Sequence, residues 1–157
     1  MNNGVMVAGE GRSIWVIGDR YTIKCCGNDT SGAYALMEAI VPPGGGPPPH
    51  IHSREDEAFY VLEGELQFHA EGRSFMASSE AWVTLARGSL HSFKNTGSKT
   101  TRMLIVVTPA GLEDFFWEIG REAIDGETEP VTPTPEDIQK LLQIAPKYGI
   151  EIRMPPW

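Results

Sequence analysis

His50 and His52 stand two residues apart on an extended segment, a spacing that turns both imidazoles to one face. Glu57 follows five residues after His52, and His91 comes further downstream, on or beside another strand. Three imidazoles and one carboxylate form a ligand set for one divalent transition metal ion: Fe, Ni, Mn or Cu, with Zn possible. An octahedral ion held by four protein groups keeps two positions open, room for a substrate oxygen and for water or dioxygen. Within the run Glu55-Asp56-Glu57, strand parity selects Glu57, because it shares a face with Phe59 and Val61, the inward set of a regular strand. Glu55 and Asp56 are expected at a solvated rim. The fourth histidine, His69, has the opposite parity to Leu66 and Phe68 and is expected to face outward without a role.

The elements that must position these ligands read as strands. Tyr21–Lys24 is short and β-branched, and Ala33–Val41 is a longer apolar run. Pro42 to Pro49 consists of proline and glycine alone, which forbids helix and makes a stiff lead-in to His50. Ala58–Leu62 is apolar, and Glu63-Gly64 turns the chain. Leu66 and Phe68 then alternate with polar residues at the period of a half-buried strand. Glu71-Gly72 is the next turn, followed by Ala81–Leu85, Leu90–Lys94 and, after Asn95-Thr96-Gly97, Thr101–Thr108. Short strands separated by regular turns indicate an all-β sandwich or barrel. The texture changes after Pro109. Leu112–Ile124 has helical spacing, and Thr134-Pro135-Glu136-Asp137 is a helix start, with Thr at the N-cap and acids near the positive end of the dipole. Ile138, Leu141, Leu142 and Ala145 give that helix an apolar stripe, and Pro146 and Gly149 end it. The expected organisation is one domain over 1–157, with a barrel core at about 14–108 and a short C-terminal helical cap at about 109–157.

At this point a resemblance enters. Gly44-x5-His50-x-His52-x4-Glu57-x6-Gly64 matches the first cupin motif at every defined position. The second motif, usually Gly-x5-Pro-x-Gly-x2-His-x3-Asn, occurs as Glu80-x5-Ala86-x-Gly88-x2-His91-x3-Asn95, so Glu80 and Ala86 depart from the pattern. With Gly32–Glu38, the proline-rich lead-in, Thr108–Phe116 and the Pro135–Ile138 helix start, the chain resembles single-domain bacterial cupins of the quercetin 2,3-dioxygenase-like type. The resemblance implies a cupin-type jelly-roll β-barrel, a metal held by His50, His52, Glu57 and His91, and a homodimer formed by pairing of sheet edges.

The function the resemblance implies is a dioxygenase acting on an enolisable or phenolic small molecule, with Glu57 as general base for the substrate hydroxyl. Its pKa would be raised by an apolar setting. The same ligands also serve an oxygen-independent isomerase, lyase or hydrolase, or a small-molecule-binding barrel without turnover. Met37, Phe59, Phe93 and Met103 are candidates for the pocket wall or for plain core, and Tyr60 and Trp82 for packing. Phe115, Phe116 and Trp117 would cap the barrel mouth or a dimer seam. A net charge of −8, with no basic stripe, argues against nucleic acid and anionic membranes as partners. No apolar run approaches the roughly 20 residues of a membrane helix. With no basic and apolar leader at the N-terminus, and with Cys25 and Cys26 adjacent and read as reduced thiols, a cytoplasmic location is expected.

Overall fold

The computed structural model describes residues 4–124 and 126–154; the two ends of the expected 1–157 domain lie outside them. In chain order the elements are β1 (Ser13–Val16), β2 (Asp19–Cys25), α1 (Gly27–Thr30), β3 (Ala35–Val41), β4 (His50–His52), β5 (Asp56–Glu63), β6 (Glu65–Ala70), β7 (Arg73–Ser78) and β8 (Trp82–Leu85). There follow β9 (His91–Lys94), β10 (Thr101–Thr108), α2 (Leu112–Ile119), β11 (Arg121–Glu122), α3 (Pro135–Ile144), a 3-10 turn (Ala145–Tyr148) and β12 (Ile150–Ile152). The strands form two antiparallel sheets, ordered β11-β1-β2-β3-β10-β5-β8 and β12-β4-β9-β6-β7. This is the jelly-roll barrel: the inner faces of the two sheets enclose one core.

Alternation sets that core. On β3, Ala35, Met37, Ala39 and Val41 are buried while their neighbours are half-covered, and β5 and β10 repeat the pattern. Phe59 of one sheet meets Phe68 and Phe93 of the other edge-on, at 5.2 and 5.9 Å between ring centroids. Such pairs contribute about 0.5–1.5 kcal/mol beyond their buried area. Gly64 joins β5 to β6 at φ +84°, where a Cβ would stand 2.6 Å from Thr101 Oγ1, so both the turn and the close approach require glycine.

Several expectations change. The helix read over Leu112–Ile124 ends at Ile119. Gly120 packs so closely on β1 that a Cβ would lie 2.8 Å from both the Phe116 and Trp15 carbonyls, and the chain leaves as β11, paired with β1. The second helix begins as expected: Thr134 Oγ1 accepts from the Asp137 N–H at 3.2 Å, and Asp137 Oδ2 accepts from the Thr134 N–H at 2.8 Å. Of its stripe, Leu141 and Ala145 are buried, but Leu142 is exposed. Trp82, expected to pack, is 58% exposed, because β8 is an edge strand. Glu80, where the family pattern has glycine, adopts φ +70°, a conformation that costs a side-chain-bearing residue roughly 1–2 kcal/mol. No helix among the described residues is long and apolar enough to cross a membrane.

Candidate metal centre

The four candidate ligands come from both sheets. β4 carries His50 and His52, and its neighbour β9 carries His91, directly opposite His50 in the ladder. β5, in the other sheet, carries Glu57 on its inward face. All four are buried, and one donor atom from each lies within 4.8 Å of all the others. A shared ion about 2.1 Å from each donor would put them at most about 4.2 Å apart, so metal needs only a small inward settling.

Hydrogen bonding fixes which nitrogens face the centre. His50 Nδ1 donates to the Pro48 carbonyl at 2.8 Å, and His91 Nδ1 to the Ser89 carbonyl at 3.0 Å. A carbonyl only accepts, so each ring carries its proton on Nδ1 and turns the Nε2 lone pair inward. His91 Nε2 then meets Glu57 Oε2 at 2.9 Å, and His52 Nε2 lies 3.5 Å from the same oxygen. Inward imidazole nitrogens this close to a carboxylate in a buried cavity call for a cation or a proton between them, and the donor set fits a divalent metal.

The electrostatics agree. Burial pushes the His50 pKa down to about 3, with His52 and His91 adding to the effect. Burial works against charge on His52 too, but Glu57 and Glu55 outweigh it and hold its pKa above the ordinary value. For Glu57, burial acts upward as expected from its apolar setting, yet His52, His91 and His50 together bring it down to about 2. The expectation of a raised Glu57 pKa is therefore corrected: three imidazoles override the apolar wall and keep the group a carboxylate.

The remaining site residues divide. Phe59 and Phe93 line the cavity over the ligands, whereas Met37 and Met103 do not; both are fully buried in the core, on the adjacent strands β3 and β10. Strand parity gives the inward face but not the height along the barrel, which is why these two were candidates. Glu55 is not at a solvated rim: it is 5% exposed, with Oε2 3.4 Å from His52 Nδ1. Its parity with Glu57 was the available signal. Asp56 is at the rim, paired with Arg87 at 2.7 Å. His69 is half-buried, and its Nδ1 is bonded to Ser74 Oγ, away from the centre.

The cavity measures about 60 Å³. Its roof is the C-terminal segment: Leu112, Phe115, Phe116 and Ile119 of α2, Leu141 of α3, and Ile150 and Ile152 of β12. Phe115 and Phe116 thus cap the barrel mouth, while Trp117 lies under the Arg12 guanidinium, 4.2 Å from ring centroid to carbon. The strand β12 was not legible in the sequence, yet it pairs with the ligand strand, Ile150 opposite His52 and Ile152 opposite His50. Asp19 and Tyr21 of β2 also reach the cavity wall and were not foreseen.

Comparison with known proteins agrees with this picture. The Cupin domain family matches residues 37–107, a span that contains all four ligands. Quercetin 2,3-dioxygenase of Bacillus subtilis (strain 168) is 23% identical over 151 residues, 96% of this chain and 44% of that protein. Quercetin 2,3-dioxygenase of Aspergillus japonicus is 29% identical over 133 residues, 80% of this chain and 38% of that protein. The chain thus spans less than half the length of either relative. Among solved structures, a predicted oxalate decarboxylase from Thermotoga maritima superposes with TM-score 0.62 at 21% identity, over 68% of this chain and 99% of that one. KdgF from Halomonas sp. gives 0.63 at 14%, over 73% and 99%. At these identities the structural likeness speaks for the fold alone. The match over residues 37–107, the ligand motif and the jelly-roll fold together support the cupin superfamily for this chain.

Proposed function

We propose that the protein is a mononuclear metal-dependent enzyme, a dioxygenase acting on a small enolisable or phenolic molecule. The observation that carries this reading is the buried cluster of His50, His52, Glu57 and His91 at the base of an otherwise largely apolar cavity. A bound divalent metal would supply Lewis-acid chemistry, favouring the ionised form of a substrate hydroxyl. His50, His52 and His91 would hold it as neutral donors, and Glu57 as the anionic one. The dioxygenase part draws on the two quercetin 2,3-dioxygenases. The flavonol does not carry over with it: a cavity of about 60 Å³ has room for about two water molecules and is far below the roughly 300 Å³ where pockets for drug-sized ligands begin. A substrate of a few heavy atoms is the better match, entering as side chains of the roof give way.

We also propose a homodimer formed through the sheet edges. β7 and β8 end the two sheets, and Phe75, Met76 and Trp82 on them are exposed.

The test is elemental analysis of the purified protein, followed by an oxygen-uptake screen with small enols and phenols, for wild type, His52→Ala and Glu57→Ala. We expect about one equivalent of Fe, Ni, Mn or Cu in wild type, its loss in His52→Ala, and residual metal without turnover in Glu57→Ala. Undiminished turnover without oxygen would move the protein to isomerase, lyase or hydrolase chemistry. Metal and ligand binding with no product from any substrate would make it a binding barrel. Absence of metal after reconstitution would overturn the reading.

A further inference from the structure

We propose that Asp19 and Tyr21 form the proton acceptor of this cavity, Tyr21 touching the bound substrate and Asp19 taking the proton through it. The inference rests on the metal-centre reading and adds to it a base other than the ligand Glu57.

Apart from the four ligands, Asp19 and Tyr21 are the only polar side chains in the cavity wall among the described residues. They share one face of β2, with Asp19 1% and Tyr21 4% exposed. Tyr21 Oη donates to Asp19 Oδ2 at 3.4 Å, long beside the roughly 2.7 Å of a settled O–H···O bond. Asp19 Oδ1 makes no hydrogen bond and lies against Gly45 of the lead-in loop. A buried carboxyl with an unmade bond costs stability. Such a group in a cavity wall is a candidate for proton chemistry.

Burial raises Asp19 to about 7, with the Gly46 backbone and the Tyr21 hydroxyl drawing it partly back. A base works best with a pKa near the working pH, which suits Asp19 to trading a proton. The step balances: a substrate O–H bond breaks, its proton passes to Tyr21 Oη, and the proton of Tyr21 passes to Asp19 Oδ2. The substrate becomes an anion, Asp19 a neutral acid, Tyr21 ends as it began, and no electrons are exchanged.

The test counts protons. Acetohydroxamic acid is small, is neutral near pH 8 and chelates as its anion, so its binding frees one proton. Titration calorimetry of the nickel-loaded full chain, in two buffers of different ionisation enthalpy, reports how many protons reach the buffer. At about pH 8, above the Asp19 value, we expect close to zero for wild type and close to one for Asp19→Asn and Tyr21→Phe. At about pH 6, below it, all three should release close to one. Equal counts at both pH values in all three proteins would overturn the inference and leave the metal centre standing. So would a loaded wild type that refuses the probe. Loss of nickel from both variants would also overturn it, in favour of a structural pair. Failure of the wild type to load nickel or any other divalent metal would overturn the metal-centre reading itself.

Discussion

Asp19 makes a prediction independent of any ligand. Its folded pKa, about 7, lies above the ordinary value of 3.8, so between these values the folded state binds a proton that the unfolded state has released. Stability from this group is therefore full below about 4 and is lost as pH rises toward 7, with a slope of up to about 1.4 kcal/mol per pH unit. Asp19→Asn does not titrate. Its melting temperature should gain on wild type as pH goes from about 4 to 7 and hold a constant lead above that; a difference that does not change with pH would refute the burial argument. Glu55 makes a second prediction. Its carboxylate sits beside His52 Nδ1, on the side of the ring away from Glu57, and outer carboxylates of this kind orient ligand rings. Glu55→Gln should weaken metal affinity roughly 10-fold or more in a competitive chelator titration, and an unchanged affinity would reduce Glu55 to packing. The clustering of His50, His52, Glu57 and His91 was legible because a motif fixes their spacing, and parity distinguished Glu57 from Asp56. Asp19 and Glu55 were not, because what makes them unusual is burial, and an acidic residue in a polar run carries no local sign of that.

Among the elements, those set by local chemistry were legible. α3 was found at its first residue, because Thr134 and Asp137 satisfy free N–H groups there, Pro135 has none to satisfy, and no distant partner is needed. β12 was missed for the opposite reason: three residues, one of them Glu151, become a strand only by pairing with β4, about 100 residues away. α2 was read too long because the apolar spacing runs past Gly120, whose contact with β1 is a tertiary fact. The edge strands carry their own prediction. β7 exposes Phe75 and Met76 and β8 exposes Trp82, while each has strand neighbours on one side only. Unpaired backbone beside exposed apolar side chains favours pairing with another edge, and a second copy supplies one. Sedimentation at micromolar concentration should find a dimer, and a Met76→Glu, Trp82→Glu double variant should sediment as a folded monomer. A monomeric wild type would remove the dimer from the proposal.

At the scale of the molecule, the metal would act as a staple. His50, His52 and His91 belong to the five-stranded sheet and Glu57 to the seven-stranded one, so an ion bound to all four ties the two halves of the barrel together. Without it, the cluster is a buried set of acceptors with only protons to share. Binding to the folded state alone stabilises by about 4 kcal/mol when free metal is about 1,000 times the dissociation constant. At about 2–4 °C per kcal/mol for a chain of this length, stripping the metal with a chelator should lower the melting temperature by roughly 8–16 °C. His52→Ala should melt at the same temperature with and without chelator. Glu57→Ala separates binding from stapling: its three imidazoles can still hold metal, but all from one sheet, so the chelator should move its melting temperature far less than its residual metal content would suggest. If Glu57→Ala instead keeps the full shift, the stabilisation comes from organising β4 and β9 within one sheet, and the link between the sheets rests on the aromatic contacts of Phe59 with Phe68 and Phe93.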